Sequence, residues 1–206
     1  MAEAVPTGVT AAVRGRRMVR AFTGEPVAPA AVEHLVDLAR RAPSAGNSQG
    51  WAFVALHGPE TARYWDLALP RPARAGFPWP GLVDAPALVV CLVRPGAWPE
   101  RYAEPDKAAA GLGGGEADWP VPFWWVDAGM AVENLLLGAV EAGLGACFFG
   151  LFDHEVPVLA ALGVPSGWRG VGVVALGHPA PDRVASSARR GRRPVGEVLH
   201  RGRWGG

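Results

Sequence analysis

Four arginines, Arg14, Arg16, Arg17 and Arg20, crowd into seven residues near the start of the chain. Three of them belong to RRMVRAF (16–22). In an extended chain successive side chains alternate, so Arg16, Met18 and Arg20 share one face. Forked guanidinium groups bind phosphate oxygens in pairs, so anion binding is the chemistry this spacing could do. A solvated basic turn after a helix would use the same residues, and both readings stand at this point. A second basic run, SSARRGRRP (186–194), carries Arg189, Arg190, Arg192 and Arg193. It reads as a disordered end, as a second grip on a phosphate, or as a weak nucleic-acid contact.

Between these runs lies APSAGNSQGW (42–51), with Ser44, Asn47, Ser48 and Gln49 in quick succession before Trp51. Hydroxyls and amides both donate and accept, which suits the edge of a heterocycle bearing carbonyls and N–H groups. The same Pro, Ser, Gly and Asn content would also serve a helix end and a turn. GACFFGLFD (145–153) reads as a strand ending at Gly150, whose backbone N–H groups are then free to meet a ligand. Other chemistries are excluded. GLGGG (111–115) follows no strand and lacks the dinucleotide spacing, and no P-loop, HExxH or GxSxG occurs. Cys91 and Cys147 have no CxxC or Cys/His spacing and sit in apolar runs, so they read as buried thiols. Asp127, Glu133 and Glu141 read as surface or interface charges on a helix.

The elements that must position these groups follow from periodicity. TGVTAAVRGR (7–16) reads as a short helix with Thr7 as its cap. PAAVEHLVDLARRA reads as a helix with Val32, Leu35, Val36 and Ala39 on one face and Pro29 in its first turn. WAFVAL reads as a strand, GPETARYWDLAL as a helix and APALVVCLV as a buried strand. Residues 94–123 hold several Pro, Trp and Gly residues without periodicity and read as a structureless flap or lid. WWVDAGMAVENLLLGAVEAGLG (124–145) reads as a long helix, apolar on most sides and ended by Gly143 and Gly145. A helix of that kind is covered by a core or by another subunit. ACFFG and GVGVVALG read as strands, and DHEVPVLAALG as a short helix interrupted by Pro157.

Helices and strands alternate without a strict βαβ order, so the class is α+β. The 206 residues suffice for one domain spanning 1–206, with an Arg-rich tail from about 180. Half of the residues are hydrophobic and the net charge is only +1, so no overall field calls for nucleic acid or an anionic membrane. No secretory signal or membrane span is read, and the expectation is a soluble cytoplasmic protein.

Taken in this order, RRMVRAF, APSAGNSQGW, DAPALVV, AGMAVENLLLGAVEAGLG, ACFFG and GHPAPD…RRP resemble the FMN-dependent nitroreductase family over some 180 residues. The resemblance implies a central, mainly antiparallel sheet flanked by helices, in an intertwined homodimer with FMN at its interface. It implies that Arg16 and Arg20, with Arg17 and Met18 in the same segment, bind the phosphate and ribityl region. Arg20 would also lie near the N1–C2=O edge of the ring. Pro43, Ser44 and Asn47 would line the flavin from the partner subunit. Gly150 and Leu151 would offer N–H groups toward N5 and O4. Arg190 and Arg192 would close over the phosphate, in a register that could move by one toward Arg193. Arg71 and Arg74 are the candidates for a contact to the ring from the middle of the chain.

Two departures stand out. Met18 replaces the family's Ser, so one phosphate hydrogen bond is expected to be absent. Gly50 replaces its Pro and is expected to loosen the loop. The implied activity takes hydride from NADPH or NADH and passes two electrons to a nitroaromatic, quinone or enone in a ping-pong cycle, without a catalytic side chain. The rivals are a flavin-dependent dehydrogenase or oxidase that bypasses NAD(P)H, and a flavin-binding protein without turnover.

Overall fold

The structure is a computed structural model that describes residues 8–183 and 185–205. Thr7, the expected helix cap, lies outside the described residues. In chain order the helices are α1 (Val9–Gly15), α2 (Pro29–Ala39), α3 (Thr61–Ala68), α4 (Arg71–Arg74), α5 (Ala97–Tyr102), α6 (Phe123–Glu141) and α7 (Glu155–Ala161). The strands are β1 (Trp51–His57), β2 (Ala87–Val93), β3 (Gly145–Phe149) and β4 (Arg169–Gly177). They form one sheet in the order β1-β2-β4-β3, antiparallel at every junction. The α+β expectation therefore holds.

The sheet has a core on each face, which explains the unbroken apolar run of β2. Its residues alternate between the two faces. Leu88, Val90 and Leu92 join Tyr64, Trp65, Leu82, Val158 and Val173 on one side. Ala87, Val89 and Cys91 join Val32, Leu35, Ala39, Leu135 and Val174 on the other, under α2 and α6. The expected stripe of α2 faces this second core, with Val32, Leu35 and Ala39 buried and Val36 partly so.

Three local expectations change. Pro157 does not interrupt a helix, because α7 begins at Glu155 and its first-turn N–H groups have no intrahelical partner to lose. Gly145 belongs to β3 rather than to the end of α6; Gly143, at φ 69°, follows the helix end. Residues 94–123 are not structureless. They carry α5 and pack Trp98 and Trp119 with Val93, Ala97, Trp124 and Ala128 into a third core. Tryptophan and proline obscured the periodicity, since the packing here is aromatic edge to face: Trp119 meets Tyr102 at 4.9 Å and Trp124 at 6.3 Å.

That third core accounts for Gly50. A Cβ on Gly50 would lie 2.3 Å from the Trp98 ring and 2.7 Å from the Ala97 Cβ. The absence of a side chain here admits Trp98, which is wholly buried, rather than loosening the loop. The Gly50 carbonyl also accepts from the Arg94 N–H at 2.7 Å. Gly50→Ala is therefore expected to destabilise the fold by about 2–3 kcal/mol through overpacking, read as a lower urea midpoint with unchanged slope. A midpoint equal to that of the parent would show that Trp98 has room to move.

Candidate functional site

The basic segment 16–22 is extended because it docks along the free edge of β3. The Val19 N–H donates to the Ala146 carbonyl at 2.8 Å, and the Phe148 N–H donates to the Met18 sulfur at 3.4 Å. Gly145 permits the approach, since a Cβ there would sit 2.8 Å from a Val19 methyl group. Met18 is thus a packed sulfur acceptor as well as a lining residue, a use that Ser would not fill in the same way. At its far end the segment is tied to the tail: the Thr23 N–H donates to His178 O, and the Arg20 N–H donates to the Asp182 carboxylate at 2.8 Å.

Two cavities adjoin along this segment, and Arg20 lines both. The first, about 510 Å³, is cationic. Arg16, Arg17, Arg20, Arg183 and Arg192 line it, with Asp182 as the carboxylate among its lining residues. The Arg16 side chain is mostly buried and pairs with Glu133 of α6 at 3.2 Å. The second, about 340 Å³, is aromatic. Tyr64, Trp65, Phe77, Trp79 and Phe149 line it, together with Gly150 and Leu151. Trp79 stands by their shared residue, with the Arg20 guanidinium 4.8 Å from its ring centroid and that of Arg183 at 4.1 Å. Such stacking orients each guanidinium and leaves its edge for an anion.

The aromatic cavity is dry in character. Trp65 stacks on Phe149 with centroids 5.8 Å apart at 15°, and Tyr64 meets Trp65 edge-on at 5.0 Å. Burial pushes the Tyr64 phenol above its ordinary range, so it stays protonated. Burial likewise raises the Cys147 thiol; the nearby Arg20 opposes this and does not overcome it. Cys147 is therefore a neutral wall residue and not a nucleophile. Among the described residues no group of three or more His, Cys, Asp or Glu could hold a metal ion.

Of the expected site residues, Arg16, Arg17, Met18, Arg20 and Arg192 meet in the cationic cavity, and Gly150 and Leu151 in the aromatic one. Gly150 follows the last β3–β4 pair, Phe149↔Val173. Arg190 does not line the cationic cavity, and Arg193 is turned aside onto Glu197, so Arg192 is the tail residue in position. Arg74 is held by Asp66 and the Leu69 carbonyl, and Arg71 lines neither cavity.

Pro43, Ser44 and Asn47 line neither cavity of their own chain. Their loop is nevertheless rigidly made. Gly46, Asn47 and Gln49 all have positive φ, a costly backbone for the two non-glycine residues. Ser44 Oγ accepts from the Gln49 N–H at 3.0 Å, while Pro43 and Asn47 point to the exterior. What holds the loop is Asp127, expected as a surface or interface charge and found 2% exposed in its own chain. Its Oδ2 accepts from the Ala45 N–H and from the Trp98 indole N–H, both at 2.8 Å. No local signal marked this role, because both partners come from other elements. Trp79 and Arg183 were missed for the same reason.

The family model described as the nitroreductase family matches residues 13–178. An NADH dehydrogenase of Thermus thermophilus is 30% identical over 187 residues, spanning 84% of this chain and 87% of its own. The 5,6-dimethylbenzimidazole synthase of Rhodospirillum rubrum is 29% identical over 195 residues, spanning 85% and 86%. A solved nitroreductase family protein of Streptococcus pneumoniae shares the fold at TM-score 0.70, with 21% identity over 92% of this chain and 98% of that one.

Proposed function

The chain belongs to the nitroreductase family, and from that premise we propose that it is an FMN-dependent NAD(P)H oxidoreductase working as a homodimer. The carrying observation is that Arg20 lines both a cationic and an aromatic cavity. A flavin mononucleotide has the matching parts, a dianionic phosphate at one end and a planar apolar ring at the other. Bound FMN would supply the redox chemistry, accepting hydride from NADPH or NADH and passing two electrons to a nitroaromatic, quinone or enone in ping-pong fashion. The protein's tasks are then binding, orientation and charge.

Arg16, Arg17 and Arg192 would hold the phosphate with Arg20, whose backbone is already fixed by Asp182. A guanidinium beside the ring would favour the electron-rich reduced state. The backbone N–H groups of Gly150 and Leu151 would direct the ring edge, and Tyr64, Trp65 and Phe149 would exclude water. Pro43 and Asn47 are exposed, with Ser44 half-buried beside them, which supports this loop's serving the flavin of a second copy. An apolar surface is available for that copy: Val9, Val13, Phe123 and Val126 of α1 and α6 are all exposed. Phe123 is exposed although it meets Trp119 edge to face, whereas Trp124 is inside the third core.

The test is the visible spectrum of the purified protein, taken anaerobically before and after one equivalent of NADPH or NADH, with its mass in solution measured by light scattering. Flavin bands that bleach on a dimeric protein are expected. Flavin bands that persist with both donors would transfer the assignment to a flavin enzyme that bypasses NAD(P)H, or to a carrier. No flavin after reconstitution with FMN would overturn it.

A further inference from the structure

Trp65 is 4% exposed, and its indole N–H has no hydrogen-bond partner among the described residues. A buried donor without an acceptor is costly, and native proteins rarely keep one without a use. Trp65 is on the wall of the aromatic cavity, stacked on Phe149, the residue immediately before Gly150 and Leu151. The surrounding wall from Ala68, Leu69, Phe77 and Leu82 is apolar. The N–H therefore marks where an acceptor belongs.

We propose that the Trp65 indole N–H donates a hydrogen bond to a carbonyl oxygen on the pyrimidine edge of the flavin ring. The inference rests on the FMN reading and deepens it. It assigns ring recognition to α3 as well as to the Arg20 segment and the end of β3. An indole is neutral at every working pH, so the contact adds direction without charge. The ring's carbonyls gain electron density on reduction, so the bond favours the reduced form as well as binding.

The experiment compares the full-length protein with Trp65→Phe, which keeps an aromatic ring against Phe149 and removes the donor. FMN and riboflavin are titrated by fluorescence quenching. Both affinities are expected to fall by the same factor, about threefold to tenfold, because riboflavin has the ring without the phosphate. Trp204→Phe, at an exposed site, is expected to bind both within twofold of the parent. A second measurement needs no altered protein in the binding step. Among the nine tryptophans, the ¹⁵N-indole signal missing from Trp65→Phe should move downfield when FMN is added to the unaltered protein. Unchanged affinities for both ligands, with that signal unmoved by bound FMN, would overturn the proposal. If the unaltered protein takes up no FMN at all, the cofactor reading itself fails and this inference falls with it.

Discussion

Arg20→Ala is expected to weaken FMN binding by about a hundredfold to a thousandfold. Arg20 is the residue shared by the two cavities, so its loss acts on both ends of the ligand. Each charge-assisted hydrogen bond from a guanidinium is worth about 1.5–3 kcal/mol, and about 1.4 kcal/mol is a factor of ten. The variant should fold normally. What ties this position to Asp182 is the backbone N–H, which alanine retains. The side chain's own internal contacts are slight, a 3.3 Å hydrogen bond to the Met18 carbonyl and its stacking on Trp79. Arg20→Lys should recover part of the affinity as a point charge without the fork. Arg193→Ala, whose guanidinium is occupied by Glu197, should bind FMN within twofold of the parent. Fluorescence titration reads all three. Binding by Arg20→Ala within threefold of the parent would remove this residue from the site.

Asp127→Ala should be the most destabilising change to a single polar side chain, by about 3–4 kcal/mol. The substitution removes one carboxylate and strands two donors, the Ala45 N–H and the Trp98 indole N–H. A buried donor left without a partner costs about 1–3 kcal/mol. In a chain of this size the melting temperature should fall by about 6–16 °C. Asp127→Asn should lie much closer to the parent, because both donors share Oδ2 and one amide oxygen has two lone pairs to accept from both, with only the charge lost. The loss should be local before it is global: the Ala45 amide should exchange with solvent faster, and the loop bearing Ser44 and Asn47 should lose its shape. Chemical denaturation and hydrogen exchange measure the two parts. A stability change under about 1 kcal/mol would mean that neighbouring groups replace the carboxylate.

Both predictions concern contacts that connect distant parts of the chain. Asp127 and Ala45 are 82 residues apart, and Arg20 and Asp182 are 162 apart. The cationic cavity likewise joins the start of the chain to its tail. Such contacts have no periodicity, which is why the arginine-rich runs were visible early and their partners were not.

Local order made much of this protein legible from the sequence alone. A stripe at 32, 35, 36 and 39 can only be covered on one side, and seven apolar residues at 87–93 need cover on both, so helix, strand and α+β class followed. The motif order identified the family resemblance, and the spacing of Arg16, Met18 and Arg20 offered a candidate anion-binding face, with a solvated basic turn as its alternative. Tertiary structure decided the rest. It turned Asp127 from an expected surface or interface charge into a buried anchor, and Gly50 from a loosened joint into the space that Trp98 fills. It put Arg192, and not Arg190, in the lining of the cationic cavity, and brought two guanidinium groups to the ring of Trp79. Burial and hydrogen-bond satisfaction belong to the assembled surroundings of a residue, whereas periodicity belongs to the chain itself.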